Sequence, residues 1–346
     1  MTRCDTRPVS GRVAGLVARN YGLAESFHLE HLATDMAGIV PVAGQMVSQE
    51  TRLITPGQAE VLIVSRPDWV ERNVAAFAEL VEPAERKLAE RLSMLEDDAA
   101  RRIARRLMEA ETGALLGFLS RRVLGQYELV VPGEQGDSIA FVGANILQME
   151  RARQFRPSEF RMWIALHEAA HRSQFVGVGW LREYFLGLVR GMVESAASDE
   201  PRLAEIVARV RESRSEGRPM IDERGMLGLL ATGDRRDSLD RVQALMSLLE
   251  GHGHVVMDRL GAALLPGQRR MSALLKARRS NSKTAWFFRL TGLEMKIKQY
   301  EMGERFVLEV ERLGGWERLD HAWEGPDALP TLAEIEDPRT WLKRVG

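Results

Sequence analysis

The sequence predicts a mainly α-helical protein with one small β-sheet. Apolar residues recur at three- and four-residue spacing over long stretches, which is the periodicity of amphipathic helices. Two short apolar runs, at 128–132 and 139–142, are typical of strands. A turn-forming segment at 133–138 separates these runs, so we expect a hairpin.

The helical segments are expected on both sides of this hairpin. Leucine and isoleucine alternate with many charged residues from Pro83 to about Arg122, which predicts one or two long helices with solvated polar faces. A stretch from Trp323 to Trp341 is rich in proline and acidic residues, and it is predicted to be an ordered surface tail. Further apolar helical segments are predicted at 179–196, 201–213, 238–262 and 284–312.

Composition narrows the class of protein. The 48 basic and 49 acidic side chains give a net charge of -1, which supplies no broad field for nucleic acid or an anionic membrane. Cys4 is the only cysteine, so no intramolecular disulfide can form. Since the sequence also lacks a long apolar span and an apolar signal-peptide core, we expect a cytoplasmic protein without a membrane partner. The sequence gives no indication of oligomeric state.

The sequence His167-Glu168-Ala169-Ala170-His171 carries the strongest chemical signal. Histidines four positions apart lie on the same face of a helix, close enough for both imidazoles to bind one zinc ion. Glu168 points about 100° around the helix, from where it can reach a water and act as general base. The alternative is a helix whose histidines merely face solvent or the core. Apolar neighbours on the other faces favour the zinc site.

A catalytic zinc of this kind needs a third protein ligand. The extended metzincin motif would place glycine at position 174 and histidine at position 177. This chain has Gln174 and Gly177, so that subclass does not fit and the ligand must come from elsewhere.

The segment predicted as a helix at 238–262 offers the best third ligand. Glu250, His254 and Asp258 recur every four residues along one stripe of that helix. Glu250 would complete a two-histidine, one-glutamate set, and His254 is the rival ligand. Asp258 or His254 could instead orient a ligand by hydrogen bonding. His252 lies on the side opposite Glu250 and is expected at the surface.

Several separate segments, in order along the chain, match one known family. The chain resembles the zincin-like, zinc-dependent hydrolases that are labelled as associated with biosynthesis of the deazaflavin coenzyme. The resemblance implies a zincin-like fold, zinc on His167 and His171, Glu168 as base, and Glu250 as third ligand. One departure is Ala144, where the family has proline. The matching segments are Arg66–Val70, Asn73, Leu119–Tyr127, the zinc-motif helix, Leu249–Gly251, Val256–Asp258, Lys296, Gln299–Tyr300, Gly303 and Leu329–Glu334.

The family label assigns no reaction, and the chain has no convincing glycine-rich loop for a phosphate. We therefore expect no bound deazaflavin. Lys296 and Tyr300 share one helix face, and the phenol of Tyr300 could stabilise an oxyanion during catalysis. The alternative for Tyr300 is a tyrosine packed on the core with its hydroxyl paired.

These observations predict a zinc metallopeptidase that hydrolyses amide bonds of a peptide or protein substrate. One alternative is a non-catalytic protein with structural zinc, which would bind a partner through the helices of 83–122. Another is amide hydrolysis of a small metabolite. We expect a helical N-terminal region at 1–122 and a catalytic region at 123–346, or one continuous domain.

Overall fold

The structure is a computed structural model, and it describes residues 22–93, 113, 116–130, 136–197, 236–279 and 294–346. Helices dominate these residues beside one small sheet, which confirms the predicted fold class. The segment predicted as helix at 201–213 and most of 94–122 lie outside the described residues. In chain order the elements are α1 (His28–Thr51), β1 (Glu60–Val64), α2 (Arg66–Ser93), β2 (Gly125–Glu128), β3 (Ser138–Val142), α3 (Gly143–Arg153), α4 (Pro157–Gly177), α5 (Leu181–Ala197), α6 (Arg236–Leu264), α7 (Gln268–Arg279), α8 (Glu294–Gly314), two 3-10 helices (Trp316–Trp323 and Pro326–Ala328), α9 (Leu332–Glu336) and α10 (Pro338–Val345).

The sheet has three strands in the order β1-β3-β2, with β1 parallel and β2 antiparallel to β3. The predicted hairpin is therefore present, but its first strand ends at Glu128 instead of beginning there. The side chain of Glu128 accepts hydrogen bonds from Arg72 and from Ser138, its partner on β3, so buried polar contacts hold the last pair of residues in this ladder. Strand β1 was not predicted at all.

Helix α2 begins at Arg66, so the predicted start at Pro83 is wrong. Ser65 and Asp68 explain the earlier start. The main-chain amide of Asp68 donates to Ser65 Oγ at 3.2 Å, and the amide of Ser65 donates to Asp68 Oδ2 at 3.1 Å. This reciprocal pair satisfies main-chain donors that the first turn leaves open.

Helix α4 carries the two motif histidines through the middle of the protein. Pro157 occupies its first turn, where a missing amide hydrogen costs nothing, and Arg156 before it is extended. The helix ends at Gly177, and the amide of Val178 returns to the carbonyl of Gln174 at 3.2 Å. Most of its residues are buried, as expected for a helix that is covered on several sides.

Two apolar cores meet along α4. The first joins the sheet and α1 to the earlier turns of α4, and Leu32, Phe141 and Trp163 belong to it. The second joins α6, α8 and the C-terminal residues to the end of α4, and Leu248 and Phe306 belong to it. Helix α4 contributes residues as far as Ala170 to the first core and Phe175 to the second, so both cores hold the helix that carries the histidine pair.

Helices α6 and α8 cross at a contact that requires glycine on both sides. A Cβ atom on Gly303 would lie 1.8 Å from the carbonyl oxygen of Ser247, and one on Gly251 would lie 2.1 Å from the carbonyl carbon of Gly303. Both separations are far below van der Waals contact. The close crossing fixes the turn of α6 that contains Glu250.

The C-terminal residues belong to the core, so the expectation of a surface tail is wrong. Trp341 is 0% exposed and its indole donates to the carbonyl of Ala328 at 2.9 Å. Arg344 binds both carboxylate oxygens of Glu334, at 2.7 and 2.9 Å. The polar residues of this segment thus pair with each other while its tryptophans pack inward. No helix among the described residues has the length and apolar character needed to cross a membrane.

Candidate metal centre

The imidazoles of His167 and His171 lie side by side on α4. Their Nε2 atoms are 3.3 Å apart, and the rings are nearly perpendicular, with an angle of 77° between them. Helical spacing alone accounts for the proximity, because residues four apart are neighbours on one face. The lone pairs of the two Nε2 atoms can therefore point to one position between the rings.

Helix α6 brings the carboxylate of Glu250 to the same point. Its Oε2 atom lies 3.9 Å from His167 Nε2 and 3.6 Å from His171 Nε2. Donors bound tetrahedrally to one zinc ion at 2.0–2.1 Å are about 3.3 Å from each other. The three side chains therefore fit a zinc ion after small adjustments, and among the described residues they are the cluster whose donor atoms could hold a metal.

The electrostatics around the His171 imidazole favour a positive charge. Burial acts to lower the pKa of His171, but the hydrogen bond and charge of Glu250 and the charge of Glu168 outweigh it and raise that pKa to about 9. Glu250 and Glu168 therefore both stabilise a positive charge at this site. A divalent cation is the species that balances such a set.

Glu168 lies behind the histidine pair and is only 5% exposed. Its Oε2 atom accepts a hydrogen bond from the main-chain amide of Tyr127 in β2 at 3.0 Å. Burial is the main cause that raises the pKa of Glu168 to about 7, and the charge of Glu250 raises it further. The charge of His171 and the hydrogen bond from the Tyr127 amide act to lower it. A carboxyl group with this pKa can both accept and return a proton near neutral pH.

The space for Glu168 depends on a glycine in β2. A Cβ atom on Gly125 would lie 2.7–2.9 Å from the Glu168 side chain, closer than real Cβ contacts. Gly125 and Tyr127 were not identified as site residues from the sequence. They are distant from α4 along the chain, so no local pattern could have identified them.

The rival third ligand, His254, lies one helical turn beyond Glu250. Its Nε2 atom is 3.6 Å from Asp258 Oδ2 and 3.7 Å from Glu304 Oε2. Asp258 also accepts hydrogen bonds from Gln268 at 2.8 Å and from Ser272 at 3.0 Å. The structure thus groups His254 with these carboxylates, while Glu250 faces the histidine pair.

His252 is 1% exposed, so the expectation that it lies at the surface is wrong. It lies against Trp316 and Trp323 from the C-terminal segment, which covers the side of α6 expected to be open. Its Nδ1 atom is 3.0 Å from Nε2 of Gln174. Gln174 lies three residues after His171, which places it on the same helix face.

Tyr300, the candidate oxyanion donor, belongs to helix α8 together with Lys296. The side chains of both residues lie outside the described part of the structure. The proposed role of Tyr300 therefore stays a prediction.

Comparison with known proteins gives two matches. A family model described as zincin-like metallopeptidase matches residues 9–342. A crystal structure described as "a putative hydrolase with a novel fold", from Chloroflexus aurantiacus, is 27% identical, with a TM-score of 0.69 over 98% of this chain and 96% of that chain. Neither description names a coenzyme. No curated protein matches the chain.

Proposed function

The chain belongs to the zincin-like metallopeptidase family, and from this premise we propose that it is a zinc-dependent hydrolase that cleaves amide bonds of peptides or proteins. His167, His171 and Glu250 would hold the metal. Glu168 would be the general base. The similarity, over nearly the whole length, to a structure described as "a putative hydrolase" supports the same reaction class.

One observation carries the proposal. Two imidazoles from α4 and one carboxylate from α6 converge within 3.3–3.9 Å. Glu168 is a further buried carboxylate beside this cluster, and it is not one of the three proposed ligands. Three ligands leave the fourth tetrahedral position for water or substrate, which is the arrangement of catalytic zinc sites.

A zinc ion in this position would polarise the substrate carbonyl and lower the pKa of water. Glu168 would accept a proton as the water oxygen attacks the carbonyl carbon. It would then return that proton to the leaving nitrogen as the carbon–nitrogen bond breaks. Burial of Glu168 favours its protonated form, which suits the carboxylate to accepting a proton. Its hydrogen bond from the Tyr127 amide would keep the carboxylate in one orientation.

The buried position of Glu168 favours an enzyme over a protein with structural zinc. A structural zinc has four protein ligands and no use for an ionisable group beside them. Burying a carboxylate without such a use is costly, since the charged form loses its hydration.

The proposal is tested by zinc analysis combined with cleavage of a broad peptide library. We expect about one zinc ion per chain. Glu168→Gln should retain the zinc, because the side chain keeps its size and can still accept from the Tyr127 amide. Its cleavage rate should fall by at least about 100-fold, the usual contribution of a general base.

Glu309→Gln makes the same chemical change at a partly exposed residue of α8 that pairs with Arg312, and it should leave cleavage unchanged. The peptidase proposal is wrong if both proteins bind zinc and the native protein cleaves peptides no faster than Glu168→Gln does.

A further inference from the structure

Gln174 contacts a proposed zinc ligand from one turn further along α4. It is 0% exposed, and its Oε1 atom lies 3.1 Å from His171 Nδ1. This nitrogen is on the opposite side of the ring from Nε2, which faces His167 and Glu250. Gln174 therefore touches His171 without reaching the metal position.

The orientation of the Gln174 amide follows from its second contact. Its Nε2 atom lies 2.9 Å from the main-chain carbonyl oxygen of Leu249 on α6. Because a carbonyl oxygen can only accept, the amide nitrogen must face Leu249 and the amide oxygen must face His171. An amide oxygen also only accepts, so His171 Nδ1 must carry the hydrogen.

A third contact uses the remaining amide hydrogen. Gln174 Nε2 lies 3.0 Å from Nδ1 of His252, whose ring is 5.7 Å from Trp316 and 5.2 Å from Trp323, measured between ring centroids. His252 is held on two sides by these indoles, so its acceptor atom has a fixed position. The amide of Gln174 thus has a partner for its oxygen and for both of its hydrogens.

We infer that Gln174 is a positioning residue that sets the tautomer of His171, placing the proton on Nδ1 and leaving the lone pair of Nε2 directed at the metal position. The inference rests on the proposed function, since it assigns a role toward zinc. Hydrogen bonds to the outer nitrogen of a zinc-bound histidine generally fix its ring and raise its basicity. The bond to Leu249 also ties α4 to the residue that precedes Glu250.

A merely structural role would make Gln174 a link between two buried helices. Two substitutions separate the roles. Gln174→Met keeps the approximate length but removes every hydrogen bond of the amide. Gln174→Glu keeps an acceptor for His171 Nδ1 and replaces the donor that faces Leu249.

The measured quantity is the zinc dissociation constant, obtained by competition with a chelator of known affinity. Gln174→Met should weaken zinc binding about 10- to 100-fold, the typical effect of losing such a hydrogen bond. Gln174→Glu should recover most of that loss. Gln268→Met, the same change at a buried glutamine that binds Asp258, should leave zinc affinity near that of the native protein.

Zinc affinity as tight in Gln174→Met as in the native protein would overturn the inference. So would an equal loss in the methionine and glutamate variants, which is the result for a simple link between helices. Because no substrate is involved, these results are independent of whether the protein cleaves peptides.

A second measurement reads the tautomer in the native protein, and a variant serves only to assign the signals. Nitrogen-15 NMR of the zinc-loaded native protein should show a protonated Nδ1 and an unprotonated Nε2 for His171, assigned by comparison with His171→Gln. The opposite tautomer would overturn the inference.

Discussion

The main-chain amide of Tyr127 donates a hydrogen bond to Oε2 of Glu168 at 3.0 Å, which joins the outer strand β2 to the helix that carries the histidine pair. This bond connects residues 41 positions apart. It holds the proposed general base from outside its own helix. The position of Glu168 therefore depends on how closely β2 approaches α4.

Gly125→Ala tests this dependence. The added Cβ atom would lie within 2.7–2.9 Å of the Glu168 side chain, so the carboxylate must move. We expect peptide cleavage to fall about 10- to 100-fold, since small displacements of catalytic groups have effects of this size. Zinc content should stay unchanged, because the proposed ligands lie on α4 and α6.

Gly179→Ala is the matched control, because nothing lies within 4 Å of its added Cβ atom. Equal activities of the two alanine variants would show that Glu168 does not need its observed position.

The choice between Glu250 and His254 as third ligand is tested by giving both positions the same side chain. Glu250→Gln removes the carboxylate that lies 3.6 Å from His171 Nε2, and zinc binding should weaken by more than about 100-fold, beyond the loss of a supporting hydrogen bond. His254→Gln alters a side chain near Asp258 and Glu304, and it should weaken zinc binding less than about 10-fold. The reverse order, measured by chelator competition, would identify His254 as the ligand.

The glycine contact between α6 and α8 should be important for stability. Gly251→Ala would place a Cβ atom 2.1 Å from the carbonyl carbon of Gly303, so the two helices must separate. We expect the free energy of unfolding in urea to fall by at least about 2 kcal/mol, as for severe overpacking.

Gly38→Ala provides the comparison, since it lies on the exposed face of α1 with nothing within 4 Å of the added atom. That change should stabilise the protein by about 0.5–1 kcal/mol, because alanine is the better helix former. If Gly251→Ala were as stable as Gly38→Ala, the result would contradict the described helix crossing.

The C-terminal segment should contribute a pH-dependent part of the stability. Burial acts to raise the pKa of Glu334, but hydrogen bonds from Arg344 and Thr331 outweigh it and lower that pKa below its ordinary value. A carboxyl group with a lowered pKa in the folded state stabilises the protein above its unfolded pKa of about 4.3, and this contribution is lost as the pH falls through the folded pKa.

Glu334→Gln should therefore destabilise the protein more at pH 7 than at pH 3, measured by urea unfolding. Glu336→Gln changes an exposed glutamate of the same helix and should show no such difference. A loss of stability in Glu334→Gln that is equal at both pH values would contradict the role assigned to the Arg344 pair.

Local periodicity was sufficient for the parts of the site that lie on one helix. The four-residue spacing of His167 and His171 places their rings together without any tertiary information. The approach of Glu250 depends on the packing of α6, which the sequence could indicate only through its stripe of polar residues and through the family resemblance.

Contacts between distant segments could not be derived in the same way. The burial of His252 results from Trp316 and Trp323, and Trp323 begins the segment that was expected at the surface because of its proline and acidic content. Composition predicts only the average exposure of a segment. Here the charge of Glu334 is paired with Arg344, so a segment rich in polar residues can pack inward. The bond between Tyr127 and Glu168 uses a main-chain amide, so no side-chain pattern reports it.

The most direct test of the metal centre is an anomalous difference map at the zinc absorption edge, from crystals grown with zinc. We expect one strong peak about 2.0–2.2 Å from Nε2 of His167, Nε2 of His171 and a carboxylate oxygen of Glu250. A map without a peak between these three side chains, or with the peak at His254 instead, would contradict it.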